Sequence, residues 1–299
     1  MKLIETVSAA VKSALPYDKT NVALQGYLES CDAHKLLVIY LNWRTRWILA
    51  TPRRVHVSRT LQGKMVSSPH REVIDQIIQD IEQGTNLQRY LSEGVTKAVA
   101  MPKPGKLSKR ADLDLLLTTW ELHHLHLSVV TRPNGFVTRT RDLLFGVFRN
   151  ADAYLVDIQP HGNWYEEDFL RILLNELPKS NVVHEIRGAV AVSPLPSRED
   201  IKQLRNAGVN TAHMVDGKPV IAIGGLTSAG TGIDATQAAD EVIGRIEKFE
   251  VDWVSNPEAV RRLYLSAGVT LPAAPVFRFY ISPDEAGVYE STTSALYPF

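Results

Sequence analysis

The sequence has one cysteine, Cys31, in 299 residues, which excludes an intramolecular disulfide and any multi-cysteine metal cage. Long apolar runs are missing too: stretches such as Leu36 to Leu41 and Val220 to Ile223 fall far short of the roughly 20 residues that span a bilayer. No membrane partner is expected. Met1 to Leu15 lacks a basic start followed by unbroken apolar residues, and Glu5 and Lys12 interrupt it, so it does not read as an export signal and the cytoplasm is the expected compartment. There is no Gly-x-Ser-x-Gly nucleophile elbow, nothing sets Cys31 beside a base, and no fixed repeat recurs along the chain, which removes nucleophilic hydrolases and solenoids. What is present, 44% apolar residues, can bury a substantial core in one large or two ordinary domains and argues against disorder.

Net charge is zero, from 33 basic and 33 acidic residues, but residues 1–110 hold 17 basic and 9 acidic residues while 111–299 hold 16 and 24. A positive segment can meet nucleic acid or an acidic partner, or pack on the acidic part of its own chain. The basic residues are densest between Trp43 and Arg59, where Arg44, Arg46, Arg53 and Arg54 interleave with Trp43, Trp47 and His56. Guanidinium groups fork onto phosphate and flat rings stack on unpaired bases, so these four arginines are the candidate RNA-binding residues.

The spacing predicts an amphipathic helix over 3–15, strands over Leu36 to Tyr40 and Trp47 to Val57, and a helix after Ser68-Pro69. In that helix Val73, Ile74, Ile77, Ile78 and Ile81 share a face and Gly84 closes the end. The basic, proline-punctuated stretch 101–110 reads as a linker. Beyond it, Leu122 to Val130, Leu143 to Arg149 and Ala153 to Gln159 read as an antiparallel meander, with turns at Arg132-Pro-Asn-Gly135 and Arg149-Asn-Ala-Asp152. A helix over Tyr165 to Leu177, a strand over Arg187 to Ser193 and a short helix over Ser197 to Asn206 follow. Next come a hairpin about Asp216-Gly217, a helix from Asp234 to Glu247 and a strand over Val276 to Ile281. The expected class is α+β: an antiparallel meander with flanking helices, preceded by a smaller basic α+β domain. The expected division is 1–100, linker 101–110, a catalytic domain over 111–250, and a C-terminal extension over 251–299.

The densest chemical signal is Glu121-Leu-His-His-Leu-His-Leu-Ser128, which holds three of the nine histidines. On a strand His124, His126 and Ser128 share one face. The return segment Thr138-Arg-Thr-Arg141 brings Arg139 or Arg141 alongside, and the third strand ends in Gln159-Pro-His161-Gly. Metal-free RNA cleavage needs a base for the 2′-hydroxyl, an acid for the leaving oxygen and a cation for the charged phosphorane, and two histidines with an arginine supply all three. The same residues permit a zinc reading, with His124, His126 and His161 as ligands and Asp157 or Asp112 orienting them. The third possibility is that the cluster is structural. The glycine-rich run from Ile223 to Gly232 reads as a hairpin-to-helix connection rather than a nucleotide-hydrolase loop, because Thr231 stands where the lysine belongs. Glu166, Glu167 and Asp168 read as acids favouring a helix start.

Several blocks also carry a resemblance: Leu41-Asn-Trp-Arg-Thr-Arg-Trp47, Pro52-Arg-Arg-Val-His56, Tyr90-Leu-Ser92, Trp120 to Leu127, Arg139-Thr-Arg-Asp-Leu-Leu-Phe145, and Ala153-Tyr-Leu-Val-Asp157 leading to His161-Gly162. Together they resemble an uncharacterised family of bacterial proteins, over about residues 35–250. The middle portion is also similar in pattern to the barnase, EndoU, colicin and RelE-like ribonucleases. That second likeness implies His124 or His126 as base, Arg139 as phosphate clamp, Thr140 as positioning hydroxyl and His161 as acid. It implies a metal-independent, cofactor-free endoribonuclease of the toxin or antiphage-defence kind, with RNA as substrate and a cognate antitoxin or companion defence protein as partner. The alternatives are a non-catalytic nucleic-acid or partner-binding module and a zinc-dependent hydrolase.

Overall fold

A computed structural model describes residues 2–100, 113–162 and 167–299. In chain order the elements are α1 (Leu3–Ala14), α2 (Val22–Glu29), α3 (Ala33–Arg44), β1 (Arg54–Val57), α4 (Arg59–Met65), α5 (Arg71–Gln83), α6 (Leu115–Trp120), β2 (His123–His126), β3 (Asp142–Phe148) and β4 (Asp152–Pro160). They continue with α7 (Asp168–Asn175), β5 (Val183–Glu185), α8 (Arg198–Asn206), β6 (His213–Val215), β7 (Lys218–Ala222), α9 (Ile233–Ser255), α10 (Pro257–Ser266), β8 (Phe277–Ile281), β9 (Ala286–Glu290) and β10 (Leu296–Pro298). The class is α+β with antiparallel sheets. No helix among the described residues is long and apolar enough to cross a membrane.

The chain divides into two compact units, one from residues 2–44, 97–100 and 234–299 and the other from 45–96, 113–162 and 167–233. These follow different lines from the expected division at 101–110, a stretch that lies outside the described residues. In the first unit, α1 packs on the antiparallel sheet β10-β9-β8, and the Thr6 hydroxyl accepts the Phe279 N–H at 2.8 Å.

The second unit carries the meander. β2, β3 and β4 pair antiparallel, and β1 joins the free edge of β4 in parallel, giving the order β1-β4-β3-β2. The β1 pairing unites segments from both sides of the expected boundary. Alternation along β3 sends Leu143 and Phe145 to one apolar layer, with Trp120, Phe169 and Leu173, and Leu144 to the other, with Ile74, Ile77 and Leu155. The register shifts between Phe145 and Gly146, where a Cβ on Gly146 would stand 3.2 Å from the Tyr154 carbonyl oxygen. Glycine fits this bulge because the strands approach too closely for a side chain.

Several expectations need correction. Leu36 to Tyr40 lies inside α3 rather than a strand, with all five residues buried; a fully apolar run has no period that separates a strand from a helix buried on all sides. Of Trp47 to Val57 only Arg54–Val57 is strand. Arg187 to Ser193 is irregular and largely exposed, the strand lying earlier at Val183–Glu185. Helix α5 starts after His70 rather than at Ser68-Pro69, and closes at Gly84 with φ 72° as expected.

Candidate functional site

Helix α6 is capped at its start by Asp114, whose side chain accepts the Leu117 N–H at 3.0 Å, and ends at Glu121 in the left-handed region. That turn delivers β2 with its histidines in alternation. His123 faces the Leu144 layer: its Nε2–H donates to the Thr45 carbonyl at 3.1 Å and its ring meets Phe148 edge-on at 5.5 Å. His124 and His126 take the opposite face, paired across the ladder with Phe145 and Leu143. Because Phe145 and Leu143 pair onward with Asp157 and Gln159, two rows cross the sheet on this face, His124–Phe145–Asp157 and His126–Leu143–Gln159.

His126 is 2% exposed. Its Nδ1 accepts the Thr140 N–H at 3.2 Å. The Thr140 hydroxyl sits 3.5 Å from the same nitrogen, but it donates to the Asp142 carbonyl at 2.6 Å and accepts the Leu127 N–H at 3.0 Å. With one hydrogen to give, Thr140 leaves the amide as the donor to Nδ1, which places the imidazole proton on Nε2. Burial first, then His124 and Arg139, pushes the His126 pKa down to about 4. A neutral ring whose lone pair already holds a backbone amide is not a general base, so the sheet corrects that assignment for His126 and makes it the anchor of the Arg139-Thr140 segment.

His161 meets the same segment from the other side, its N–H donating to the Arg141 carbonyl at 2.6 Å. It is exposed, and its pKa is lowered by partial burial and then by the positive field of Arg139 and by His124. Arg139 is exposed. His124 is half-buried, with an Asp114 carboxylate oxygen 3.7 Å from its Nδ1. The sheet therefore brings His124, His126, Arg139, Thr140 and His161 to one edge, with His126 and Thr140 inside and Arg139 and His161 at the surface.

The zinc arrangement does not form: among the described residues no group of three or more His, Cys, Asp or Glu side chains is placed to hold a metal ion. Asp157 orients no histidine. It is 1% exposed and takes the Lys64 ammonium at 2.7 Å, the Gln159 amide at 2.7 Å and the Ile158 N–H at 2.8 Å. Asp112 and Glu166 lie outside the described residues.

The arginine row is corrected more sharply. Arg53 is 7% exposed and spends its guanidinium on three carbonyls, those of Arg149 at 2.6 Å, Leu49 at 2.8 Å and Thr51 at 3.0 Å, while lying over Phe148. Arg46 is 6% exposed and donates to the Gly94 carbonyl at 3.3 Å. Neither offers its charge to phosphate. Arg44 belongs to the first unit, where it donates to the Pro283 carbonyl at 3.0 Å, which leaves Arg54 as the exposed member on β1. The glycine-rich run is closed by its own backbone: the Thr227 and Ile233 amides donate to Thr231 and Gly225, and Asn210 clamps Leu226. It is a connection, as its sequence suggests.

Asp114, Lys64 and Gln159 were not legible as site residues. Asp114 carries the local signal of a helix cap, whereas Lys64 and Gln159 carry none. Comparison with protein-family models, with curated proteins and with solved structures finds no match.

Proposed function

We propose that this edge of the sheet binds and cleaves RNA without a metal, through 2′-hydroxyl attack on the adjacent phosphorus. The observation that carries the proposal is the convergence of His124, Arg139 and His161 on one rim, buttressed by the part-buried contact between Thr140 N–H and His126 Nδ1 at 3.2 Å. His161, held neutral near pH 7 by its lowered pKa, takes the 2′-hydroxyl proton. The 2′-oxygen bonds to phosphorus and the bond to the 5′-oxygen breaks, giving a 2′,3′-cyclic phosphate. His124, steadied by Asp114, is left with the acid role and protonates the departing 5′-oxygen. Arg139 faces the charge that grows on the phosphorane oxygens. This reverses the assignment of His161 as acid. Growth arrest on expression, and a neutralising partner protein, would follow if the activity is turned on cellular RNA as in a toxin or an antiphage system.

The test is cleavage of total RNA in excess EDTA by the wild type, His161→Ala and His124→Ala. Loss of one acid–base partner typically costs about 100-fold or more. RNA left intact by the wild type, or cut equally by His161→Ala, rejects the mechanism. RNA bound with a steep salt dependence but uncut would reassign the surface to binding alone.

A pH profile separates the roles. The base must be unprotonated, so activity falls as pH drops through the His161 pKa, which lies below the ordinary 6.5. Arg139→Gln removes one cause of that depression, and the acid limb should move upward in pH together with the loss of rate. An acid limb that stays in place would show that Arg139 does not act on His161.

A further inference from the structure

On the same face of the sheet, a cleft of about 490 Å³ opens beside β4 between α4 and α7. Its chemistry is mixed. Arg59 and Lys64 come from α4, Asp157 and Gln159 from β4, and Arg171 and Asn175 from α7. We infer that this cleft takes the nucleotide next to the scissile phosphate of an unpaired RNA strand, with Gln159 and Asn175 reading the base and Lys64 and Arg59 meeting the neighbouring phosphate. The inference rests on the proposed phosphodiester chemistry at the His161 rim.

Three observations support it. The cleft neighbours that rim through β4: Gln159, which lines the cleft, lies in the cross-strand row of His126, and His161 follows two residues later, in the turn just past the end of β4 at Pro160. Its polar floor is fixed rather than solvated. The Asp157 carboxylate, 1% exposed, holds the Lys64 ammonium and the Gln159 amide each at 2.7 Å, and Lys64 also donates to the Ile158 carbonyl at 3.1 Å. Anchoring Nε2 of Gln159 sets the orientation of its amide, the condition for telling one base edge from another. The charges also select against simpler ligands. Asp168 and Glu176 line the cleft with the three cations, so a bare anion meets repulsion as well as attraction, whereas a nucleotide presents both an anion and a neutral edge of donors and acceptors. The volume lies in the range of small-molecule sites.

The experiment is isothermal titration of the full chain with 5′-AMP, 5′-GMP, 5′-CMP, 5′-UMP and inorganic phosphate, followed by Gln159→Leu and Asn175→Leu. The expected result is that one mononucleotide binds about tenfold or more tighter than the others and than phosphate, and that Gln159→Leu removes the preference. Asn175 is an exposed helix position, so Asn175→Leu reads the same site if Gln159→Leu does not fold. No mononucleotide binding, equal binding of all four, or a preference untouched by both variants overturns the inference. Mapping the cuts in an unstructured RNA distinguishes the two levels. Cleavage with no base preference, together with no mononucleotide binding, removes the base-reading cleft and leaves the ribonuclease standing. Selective mononucleotide binding without cleavage keeps the cleft as a nucleotide site and removes the catalysis.

Discussion

Acidification should destabilise the unit that carries the four-stranded sheet steeply between pH 6.5 and about 4, before most carboxylates titrate. Burial lowers the pKa of His123, His126 and His213 from 6.5 to about 4 in each case. His213 is wholly buried, its ring edge-on to Trp120 at 5.6 Å with the Thr211 hydroxyl 3.0 Å from Nε2. Below pH 6.5 the unfolded chain takes up these protons and the folded chain refuses them. Stability is therefore whole above 6.5, falls as pH drops, and levels off near 4. Each histidine contributes up to about 3 kcal/mol across that window, and three together approach the net stability of an ordinary domain. A carboxylate of that unit whose pKa is lowered, Glu176, adds a loss only below about 4.5. Thermal melts from pH 7.5 to 4, followed by tryptophan fluorescence, check this. His213→Phe should flatten the slope by roughly a third, and a melting temperature level across the window would refute the assignment.

Arg53→Ala should cost about 2–3 kcal/mol of stability, while Arg54→Ala, one residue away, should cost under about 0.5 kcal/mol. Arg53 donates to three carbonyls and covers Phe148, so truncation removes three part-buried charge-assisted hydrogen bonds and opens a space beside the apolar layer. Arg54 is exposed on the edge strand. Urea denaturation of the two variants measures the difference. The contrast matters for any binding experiment, because an Arg53 variant that fails to bind RNA would report unfolding rather than a lost phosphate contact. Equal stability of the two variants would refute the buried role.

Much of the scaffold was legible in the chain itself because its signals are local. Asp216-Gly217 turns β6 into β7 with φ of 49° and 78°, as a two-residue hairpin needs. Ser197 and Asp200 form a reciprocal capping box at α8, and the isoleucines of α5 bury one face. The antiparallel pairing of β3 with β4 follows from the short turn over 149–151, whereas β2 is only His123–His126, shorter than the expected Leu122 to Val130, and reaches β3 through residues 127–141; the shared face of His124 and His126 follows from alternation alone. Tertiary structure decided which of these polar groups water can reach. Trp43 to Arg59 reads as a basic, aromatic RNA surface, yet packing put Arg46 and Arg53 inside, where carbonyls as distant in sequence as Gly94 and Arg149 receive their charge. The apolar run of α3 had no period to show that it is a helix buried all round. The parallel docking of β1 on β4 joins residues almost 100 positions apart, and no turn residue announces it. Sequence alone thus fixed the residue types and the local backbone, because propensity and alternation act over a few positions. Burial, proton affinity and the partner of each charge came only with the fold, because desolvation and hydrogen bonding depend on neighbours that the chain supplies from far away.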